Sequence, residues 1–153
     1  EQPDLYKNNI SKQIFNESMR LYPPVWIFMR EAINDDSLRG HHIPAGSQIA
    51  LGSYMSHRSA ANWTNPNEFQ PERFASLINP NSDIQGFRFY PFGQGPRLCI
   101  GAPLAYLEAQ LIINNICKKF DLSFATEFET QLSDPSITLK PLNNRMMILK
   151  SIK

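Results

Sequence analysis

The sequence predicts a mainly α-helical fold with small β-sheets, of the α+β class. Apolar residues recur at helical spacing near both ends, over 4–22 and 102–120, which is typical of helices with one buried face. Short stretches rich in branched and aromatic residues separate and follow these helices, as strands do. Nine of the 12 prolines fall between Pro23 and Pro103, so the middle of the chain is predicted to be irregular and rich in turns.

The composition excludes several classes of protein. The 153 residues correspond to about one domain. Lys and Arg number 15 against 14 Asp and Glu, so no excess of positive charge is available for nucleic acid. Hydrophobic residues make up 42% of the chain, which excludes an intrinsically disordered protein. The two cysteines exclude a disulfide-rich scaffold, and no apolar run approaches the roughly 20 residues that span a bilayer.

The first 56 residues are predicted to form a helix and then a small β-sheet. Residues 1–22 carry the helix, because Leu5, Ile10 and Ile14 fall on one face. Pro23 ends it, since the residue before a proline is driven out of the helical conformation. Residues 23–56 carry the sheet.

Two segments supply the predicted strands of this sheet. Val25–Arg30 is apolar and rich in branched and aromatic residues. Ser47–Ser56 alternates apolar and polar residues, as a half-buried strand does. A turn at His42–Gly46 precedes it, with Pro44 at the first corner position. We therefore expect Ser47–Ser56 to pair with the short stretch before that turn.

Residues 57–101 show almost no periodicity beyond one predicted short helix near Ser59–Trp63. Loops of this length in a compact domain are usually functional or disordered, and the many aromatic residues argue against disorder here. Order returns in the helix at 102–120, with Leu104, Leu107 and Leu111 on its apolar face and Cys117 as a small buried residue near that face.

The tail, 121–153, is predicted to be β-structure. Leu122–Phe124 forms one strand. Ile137–Lys140 and Met146–Lys150 are expected to form a hairpin around a turn at Leu142–Arg145.

The strongest chemical signal is the segment Phe92–Gly101, directly before the last helix. Its glycines allow sharp turns and a close approach of the backbone to another group. Cys99 precedes the helix, where unpaired N–H groups and the positive end of the dipole stabilise a thiolate. Arg97 adds a positive charge. A thiolate held in this way is a soft metal ligand, although a buried free cysteine in a capping loop explains the spacing alone equally well.

Two further motifs carry charged residues that could form a buried ion pair between the first helix and the long loop. Glu17 and Arg20 share one helix face at i,i+3 spacing. Arg73 lies between apolar neighbours in Phe69–Phe74, so a buried guanidinium there needs an anionic or carbonyl partner. Glu17 is a suitable partner for it. Taken singly, an exposed ion pair and a charged turn explain these residues as well.

The three motifs together, in this order, resemble the cytochrome P-450 superfamily. The resemblance covers essentially the whole chain, 1–153, as the C-terminal fragment of a single cytochrome P-450 domain. It implies the helix K region, the meander, the cysteine ligand loop and helix L of that fold. By this resemblance 57–101 is the meander and haem-ligand loop, 102–120 is the last helix and 121–153 is the β tail.

The resemblance implies a haem-thiolate monooxygenase that inserts one oxygen atom from O2 into an organic substrate. Cys99 is then the axial ligand of the haem iron, and thiolate ligation favours cleavage of the O–O bond. The implied cofactor-binding residues are Cys99, Arg97, Arg30, Phe92, Gly93 and Gly101, with Gly95 also shaping the loop. Arg97 and Arg30 pair with haem propionates in this scheme, and His57 and Arg58 lie near the haem edge. Glu17, Arg20 and Arg73 form a structural triad.

The resemblance also implies partners. The candidate substrate contacts are Val25, Trp26, Ile27, Phe28 and Ile137, and the substrate is expected to be small and apolar. Electrons come from a reductase or ferredoxin. The sequence leaves a membrane anchor undecided, and the charge balance slightly favours a cytoplasmic protein.

The superfamily's oxygen-activating distal helix is not recognisable in this sequence. We therefore expect no catalytic residue in the chain and no turnover by the chain alone. Two alternatives remain at this point. One is a cofactor-free redox thiol protein that uses Cys99 and Arg97. The other is a non-catalytic product of a truncated gene.

Overall fold

The computed structural model describes residues 10–75, 88–125, 133–141 and 146–152. Within these ranges the α-helices are α1 (Ile10–Leu21), α2 (Ser53–Ser56) and α3 (Ala102–Lys119), and 3-10 helices lie at Pro71–Phe74 and Gly95–Arg97. The strands are β1 (Phe28–Glu31), β2 (Asp36–Leu38), β3 (His41–Ile43), β4 (Gln48–Leu51), β5 (Phe120–Phe124), β6 (Ser133–Pro135), β7 (Leu139–Pro141) and β8 (Met147–Ser151). Helices combined with small sheets agree with the predicted α+β class.

The strands pair in four two-stranded antiparallel sheets, β1–β4, β2–β3, β5–β8 and β6–β7. Helix α1 ends where the sequence predicts, because the N–H of Tyr22 still bonds to the carbonyl of Ser18 and Pro23 has no N–H to continue. The first nine residues of the predicted helix lie outside the described ranges.

The pairing predicted for the first sheet is wrong. The stretch before the turn, β3, pairs with β2 through a two-residue connection at Arg39 and Gly40. Both residues have positive φ, of 50° and 83°, as a tight hairpin turn requires. Strand β4 pairs with β1 instead, with Arg30 opposite Ile49.

Two element boundaries also differ from the prediction. Strand β1 begins only at Phe28, and the predicted strand Ser47–Ser56 divides into β4 and the short helix α2. Gly52 separates the two, and the N–H of Ser56 bonds back to its carbonyl. The predicted helix near Ser59–Trp63 is a single turn, closed by the Trp63 N–H on the Ser59 carbonyl at 3.0 Å.

The predicted tail hairpin is also wrong. β8 pairs over five residues with β5, placing Leu149 opposite Leu122, and β7 pairs with β6. The five-residue ladder with the strand that directly follows α3 offers more hydrogen bonds than the three residues of β7 could. The predicted turn at Leu142–Arg145 lies outside the described residues.

A small aromatic core lies between α1 and the loops of the middle third. Met19, Phe74 and Phe89 are buried, and Phe15, Trp63 and Phe92 pack around them. Helix α3 joins this core through Tyr106, whose ring meets Phe15 edge-on at 5.3 Å and whose hydroxyl donates to Asn16 Oδ1 at 2.9 Å. Burial raises the pKa of Tyr106, so the phenol stays neutral and keeps donating.

Helix α3 forms as predicted, and three leucines of its apolar face, Leu104, Leu107 and Leu111, are exposed. Cys117, which the sequence suggests is buried, is exposed as well. None of the helices in the described residues has the length and apolar character needed to cross a membrane.

Candidate functional site

A fully buried ion pair anchors α1 to the middle loops. Neither Glu17 nor Arg20 exposes any surface. The Arg20 guanidinium binds the Glu17 carboxylate with two bonds, Nε to Oε2 at 2.7 Å and Nη2 to Oε1 at 2.8 Å. Bidentate pairs of this kind fix both side chains in one orientation.

Arg20 uses all five of its N–H donors. Besides the two bonds to Glu17, it donates to the backbone carbonyls of His57 and Pro66 at 2.7 Å each and of Glu68 at 3.1 Å. Its guanidinium also lies over the ring of Trp63, 5.2 Å from the ring centroid. One side chain therefore holds three points of the irregular segment, which explains how a loop without periodicity keeps a defined path.

Arg73 completes the charged group at a longer distance. Its Nε lies 3.4 Å from Glu17 Oε1 but has no hydrogen bond of good geometry, while Nη2 donates to the Asn65 carbonyl at 2.8 Å. Glu17 Oε1 also accepts the N–H of Gln70 at 2.8 Å. The structure thus brings Glu17, Arg20 and Arg73 together, with Arg73 the most loosely held.

The cysteine loop is shaped by two glycines in the left-handed region. Gly93 and Gly95 have φ of 76° and 70°, which other residues adopt only with strain. The N–H of Cys99 returns to the carbonyl of Phe92 at 3.0 Å and closes the loop. The ring of Phe92 packs on Tyr106 of α3 at 5.4 Å. The loop is thereby attached to the helix that follows it.

Gly101 has a different role from the other two glycines. Its φ of −81° is open to any residue, and a Cβ there would lie 3.7 Å from Cys99 Sγ. Gly101 therefore leaves space beside the sulfur. The sequence instead suggests that this glycine shapes a turn of the loop. It is the N-cap of α3, so Cys99 lies at the start of the helix as predicted.

Cys99 is exposed, so it is not the buried capping-loop cysteine of the alternative interpretation. Ile100 beside it is 100% exposed and Leu98 is 41% exposed. An accessible sulfur with an apolar rim suits a large apolar group that bears a soft metal ion.

The two arginines predicted to bind propionates are available for an anionic ligand. Arg97 is exposed and Arg30 is half-buried. Arg30 donates to the carbonyl of Met29 at 2.8 Å, and within the described ranges neither arginine has a carboxylate partner.

The candidate substrate contacts divide into two groups. Trp26 donates its indole N–H to the carbonyl of Ser136 at 2.9 Å, and Phe28 lies against Gly93 and Tyr90 of the loop. These two side chains therefore have internal partners. The remaining three keep some exposure, with Val25 and Ile137 exposed and Ile27 half-buried.

His57 and Arg58, which the resemblance implies lie near the haem edge, both have hydrogen-bond partners inside the chain. His57 is fully buried, and its Nε2 accepts the N–H of Tyr90 at 3.0 Å. Arg58 donates to the carbonyl of Leu21 at the end of α1, at 2.8 Å through Nη2, and stacks on Tyr54 at 4.5 Å. No local sequence pattern predicts the contact between His57 and Tyr90, because the two residues are 33 positions apart.

The part of the chain that the structure describes holds no group of three or more His, Cys, Asp or Glu side chains arranged for a metal ion. Any metal at this site would therefore depend on the single sulfur of Cys99 together with ligands from a cofactor.

Comparison with known proteins decides the family. The sequence profile described as Cytochrome P450 matches residues 2–148. The chain belongs to the cytochrome P450 family. It is 34% identical over 131 residues to thromboxane-A synthase of Sus scrofa, covering 85% of the chain and 24% of that protein. It is 40% identical over 121 residues to cytochrome P450 Tp4149 of Tanacetum parthenium, covering 78% of the chain and 24% of that protein.

Solved P450 structures have the same fold. The crystal structure of the cytochrome P450DA heme domain superposes with a TM-score of 0.83 at 30% identity, covering 94% of the chain and 31% of the P450DA chain. The predicted fold class is thereby confirmed. The chain spans about a quarter of the length of the curated relatives it matches.

Membership of the P450 family makes haem the cofactor, and the residues present fit it. The sulfur of Cys99 is accessible, Gly101 leaves space beside it, and the residues on either side of Cys99 in the sequence, Leu98 and Ile100, are apolar and exposed. Arg97 and Arg30 are cations without carboxylate partners in the described residues, as binding of propionates requires.

Proposed function

We propose that the chain is the haem-ligand part, at the C-terminal end, of a haem-thiolate monooxygenase. Residues 1–153 then belong to one P450 domain, as the sequence predicts. The observation that carries the proposal is the exposed Cys99 at the start of α3, held by a loop whose glycines and backbone bonds fix its path.

Cys99 is the residue that would bind the haem iron. Haem with a thiolate ligand activates O2, so that one oxygen atom enters an organic substrate and the other becomes water. The protein's part is to hold the sulfur in one position and to exclude competing ligands. The bond from the Cys99 N–H to the Phe92 carbonyl serves the first requirement, and the apolar residues Leu98 and Ile100 would serve the second if they packed against the haem.

The charged residues divide between binding and support. Arg97 and Arg30 would bind the haem carboxylates, because their guanidinium groups suit that geometry. Glu17, Arg20 and Arg73 are buried or nearly so, and their partners are one another and backbone carbonyls. Their part in this proposal is to support the loop rather than to take part in chemistry.

The substrate and electron donor are proposed by class only. Val25, Ile27 and Ile137 are apolar and keep some exposure, which favours a small apolar substrate. The electron donor, a reductase or ferredoxin, would approach the side of the haem that carries the Cys99 loop. Lys118 and Lys119 at the end of α3 are basic residues suited to an acidic partner.

We further propose that the chain alone does not turn over. It supplies a ligand loop and its supports, whereas the oxygen-activating distal helix of the superfamily is not recognisable in its sequence. A haem held on one face only remains open to water and to competing ligands.

An absorption spectrum tests the proposal. The protein from the complete reading frame is reduced under carbon monoxide and compared with Cys99→Ala and Cys117→Ala. We expect the strongly red-shifted Soret band of a thiolate-bound haem in the unchanged protein and in Cys117→Ala, and its loss in Cys99→Ala. A well-folded protein without haem would contradict the proposal and favour a redox thiol at Cys99.

A further inference from the structure

Between the buried ion cluster and the cysteine loop lies one histidine that the proposed function does not use. His57 follows α2, and its N–H bonds to the Ser53 carbonyl at 2.8 Å, so its backbone continues the helix. Its side chain exposes no surface. We propose that His57 is a positioning residue, which transmits the geometry of the Glu17–Arg20 pair to the loop that presents Cys99.

His57 contacts both parts directly. Its carbonyl accepts Arg20 Nη1 at 2.7 Å, and its Nε2 accepts the N–H of Tyr90 at 3.0 Å. The ring also packs on Phe89 and Tyr90, with centroids 5.2 and 5.0 Å apart. Neighbouring Ser56 accepts the Tyr90 hydroxyl at 2.9 Å, so Tyr90 is held at its backbone and at its phenol.

Two further bonds lead from Tyr90 to the cysteine. The Tyr90 carbonyl accepts the N–H of Gly93 at 3.0 Å, forming the turn that contains Phe92. The Phe92 carbonyl in turn accepts the N–H of Cys99 at 3.0 Å. A change in the position of Tyr90 therefore changes the turn that holds the cysteine backbone.

This role requires an unprotonated acceptor at Nε2. The neutral imidazole has one donor and one acceptor nitrogen, so acceptance at Nε2 places its proton on Nδ1. Burial, reinforced by the charge of Arg20, lowers the pKa of His57 to about 4, against a smaller opposing effect of the Met19 backbone. The ring is consequently neutral at physiological pH, and its acceptor remains available to Tyr90.

Substitutions that keep, shift or remove the acceptor at this point test the inference, which rests on the proposed haem-thiolate function. His57→Gln retains an acceptor at about the reach of Nε2, whereas His57→Asn is shorter by one carbon and His57→Leu has none. Ser53→Ala is the matched control, because it removes one buried hydrogen bond, to the Val25 carbonyl, from the same short helix. All are made in the protein from the complete reading frame.

The measurement is the rate at which the red-shifted Soret band of the reduced carbon monoxide complex is lost in mild denaturant. Because an orphaned buried donor is strongly destabilising, we expect loss roughly tenfold faster in His57→Leu and His57→Asn than in Ser53→Ala. His57→Gln should behave like the unchanged protein. If His57→Leu fails to accumulate with haem, the rates of band loss in His57→Asn and His57→Gln still test the inference.

Two failures are distinguishable. Absence of the red-shifted band from the unchanged protein overturns the proposed function itself. A band in the unchanged protein that is lost equally fast in His57→Asn, His57→Gln and Ser53→Ala leaves the proposed function standing and overturns the positioning role of His57.

Discussion

At the scale of single residues, the Glu17–Arg20 pair shows why the stability of the middle loops depends on one carboxylate. Both charges are removed from water, and Glu17 accepts from Arg20 and from the backbone of Gln70. Desolvation of two charges is costly, so such a pair adds little net stability, but loss of one partner leaves the other charge buried and uncompensated. The stability of the loop therefore depends on Glu17 through Arg20.

Glu17→Gln tests this dependence. The amide keeps the shape and one acceptor but not the charge, so we expect a loss of about 3–5 kcal/mol in the free energy of unfolding. Lys140→Gln is the control, because the Lys140–Asp134 pair at 3.4 Å is largely exposed and should contribute about 0–1 kcal/mol. Urea unfolding of the complete protein measures both. Equal effects of the two substitutions would show that Arg20 can remain buried and charged without a carboxylate partner at little cost in stability.

His57 predicts a pH dependence of stability. Its pKa is about 4 when folded and about 6.5 when unfolded, so the unfolded chain binds the extra proton between these values. The contribution of neutral His57 to the free energy of unfolding is therefore fully present above about pH 6.5. It falls as the pH decreases, and at pH 4 it is smaller by about 3 kcal/mol.

The difference between the unchanged protein and His57→Gln isolates this effect. All other groups titrate in both proteins, and only the unchanged protein has an imidazole at position 57. We expect the free energy of unfolding to fall by about 2 kcal/mol more in the unchanged protein than in the variant between pH 7 and about pH 5. Parallel pH profiles in urea unfolding would contradict a neutral, buried His57.

At the scale of elements, the two long helices α1 and α3 could be predicted from the sequence, whereas the short helix α2 and the strand pairing could not. Helical hydrogen bonds join neighbours in sequence, so apolar spacing and Pro23 sufficed to place the end of α1, and α3 lies as predicted. Pairing of β5 with β8 joins residues that are distant in sequence, as in Leu122 and Leu149, which are 27 positions apart. Alternation of apolar residues identifies a strand but carries no information about its distant partner.

The same distinction applies to the site. Cys99, Glu17 and Arg20 could be proposed because their motifs are local and the family resemblance orders them. The contact of His57 with Tyr90 was not predicted, since it depends on how two loops fold over Phe89. The exposed state of Cys117 likewise depends on what covers α3, which the spacing of apolar residues does not specify.

Trp26 connects the segment before β1 to the β6–β7 sheet, and a substitution there should loosen that sheet. Its indole donates to Ser136, and the Leu139 N–H donates to the nearby Pro24 carbonyl. Trp26→Phe retains a ring but loses the donor, so we expect amide exchange at Leu139 to accelerate roughly threefold to tenfold in the complete protein. The β5–β8 amides serve as an internal control. Equal acceleration there would indicate general unfolding instead.

At the scale of the whole molecule, the chain buries little of its own apolar surface. Only five hydrophobic side chains of the described residues are buried, while 23 large hydrophobic ones are exposed. The exposed ones are not scattered singly, since α3 and β8 each present several, including Leu104, Ile112 and Leu149. Contiguous apolar patches of this kind mark surfaces that pack against other protein.

This exposure leads to a prediction about the chain by itself. A domain is stable only when the free energy from burial of apolar surface exceeds the conformational entropy lost on folding, and the described residues bury only five hydrophobic side chains. We expect the isolated 153 residues to bind an apolar dye strongly, to lack a cooperative thermal transition and to release added haem within a gel-filtration run. The complete protein should bind little dye and retain haem. A cooperative transition with retained haem in the isolated chain would show that Cys99, Arg97 and the small aromatic core are sufficient to hold the cofactor, and would overturn the proposal that the chain is one part of a larger domain.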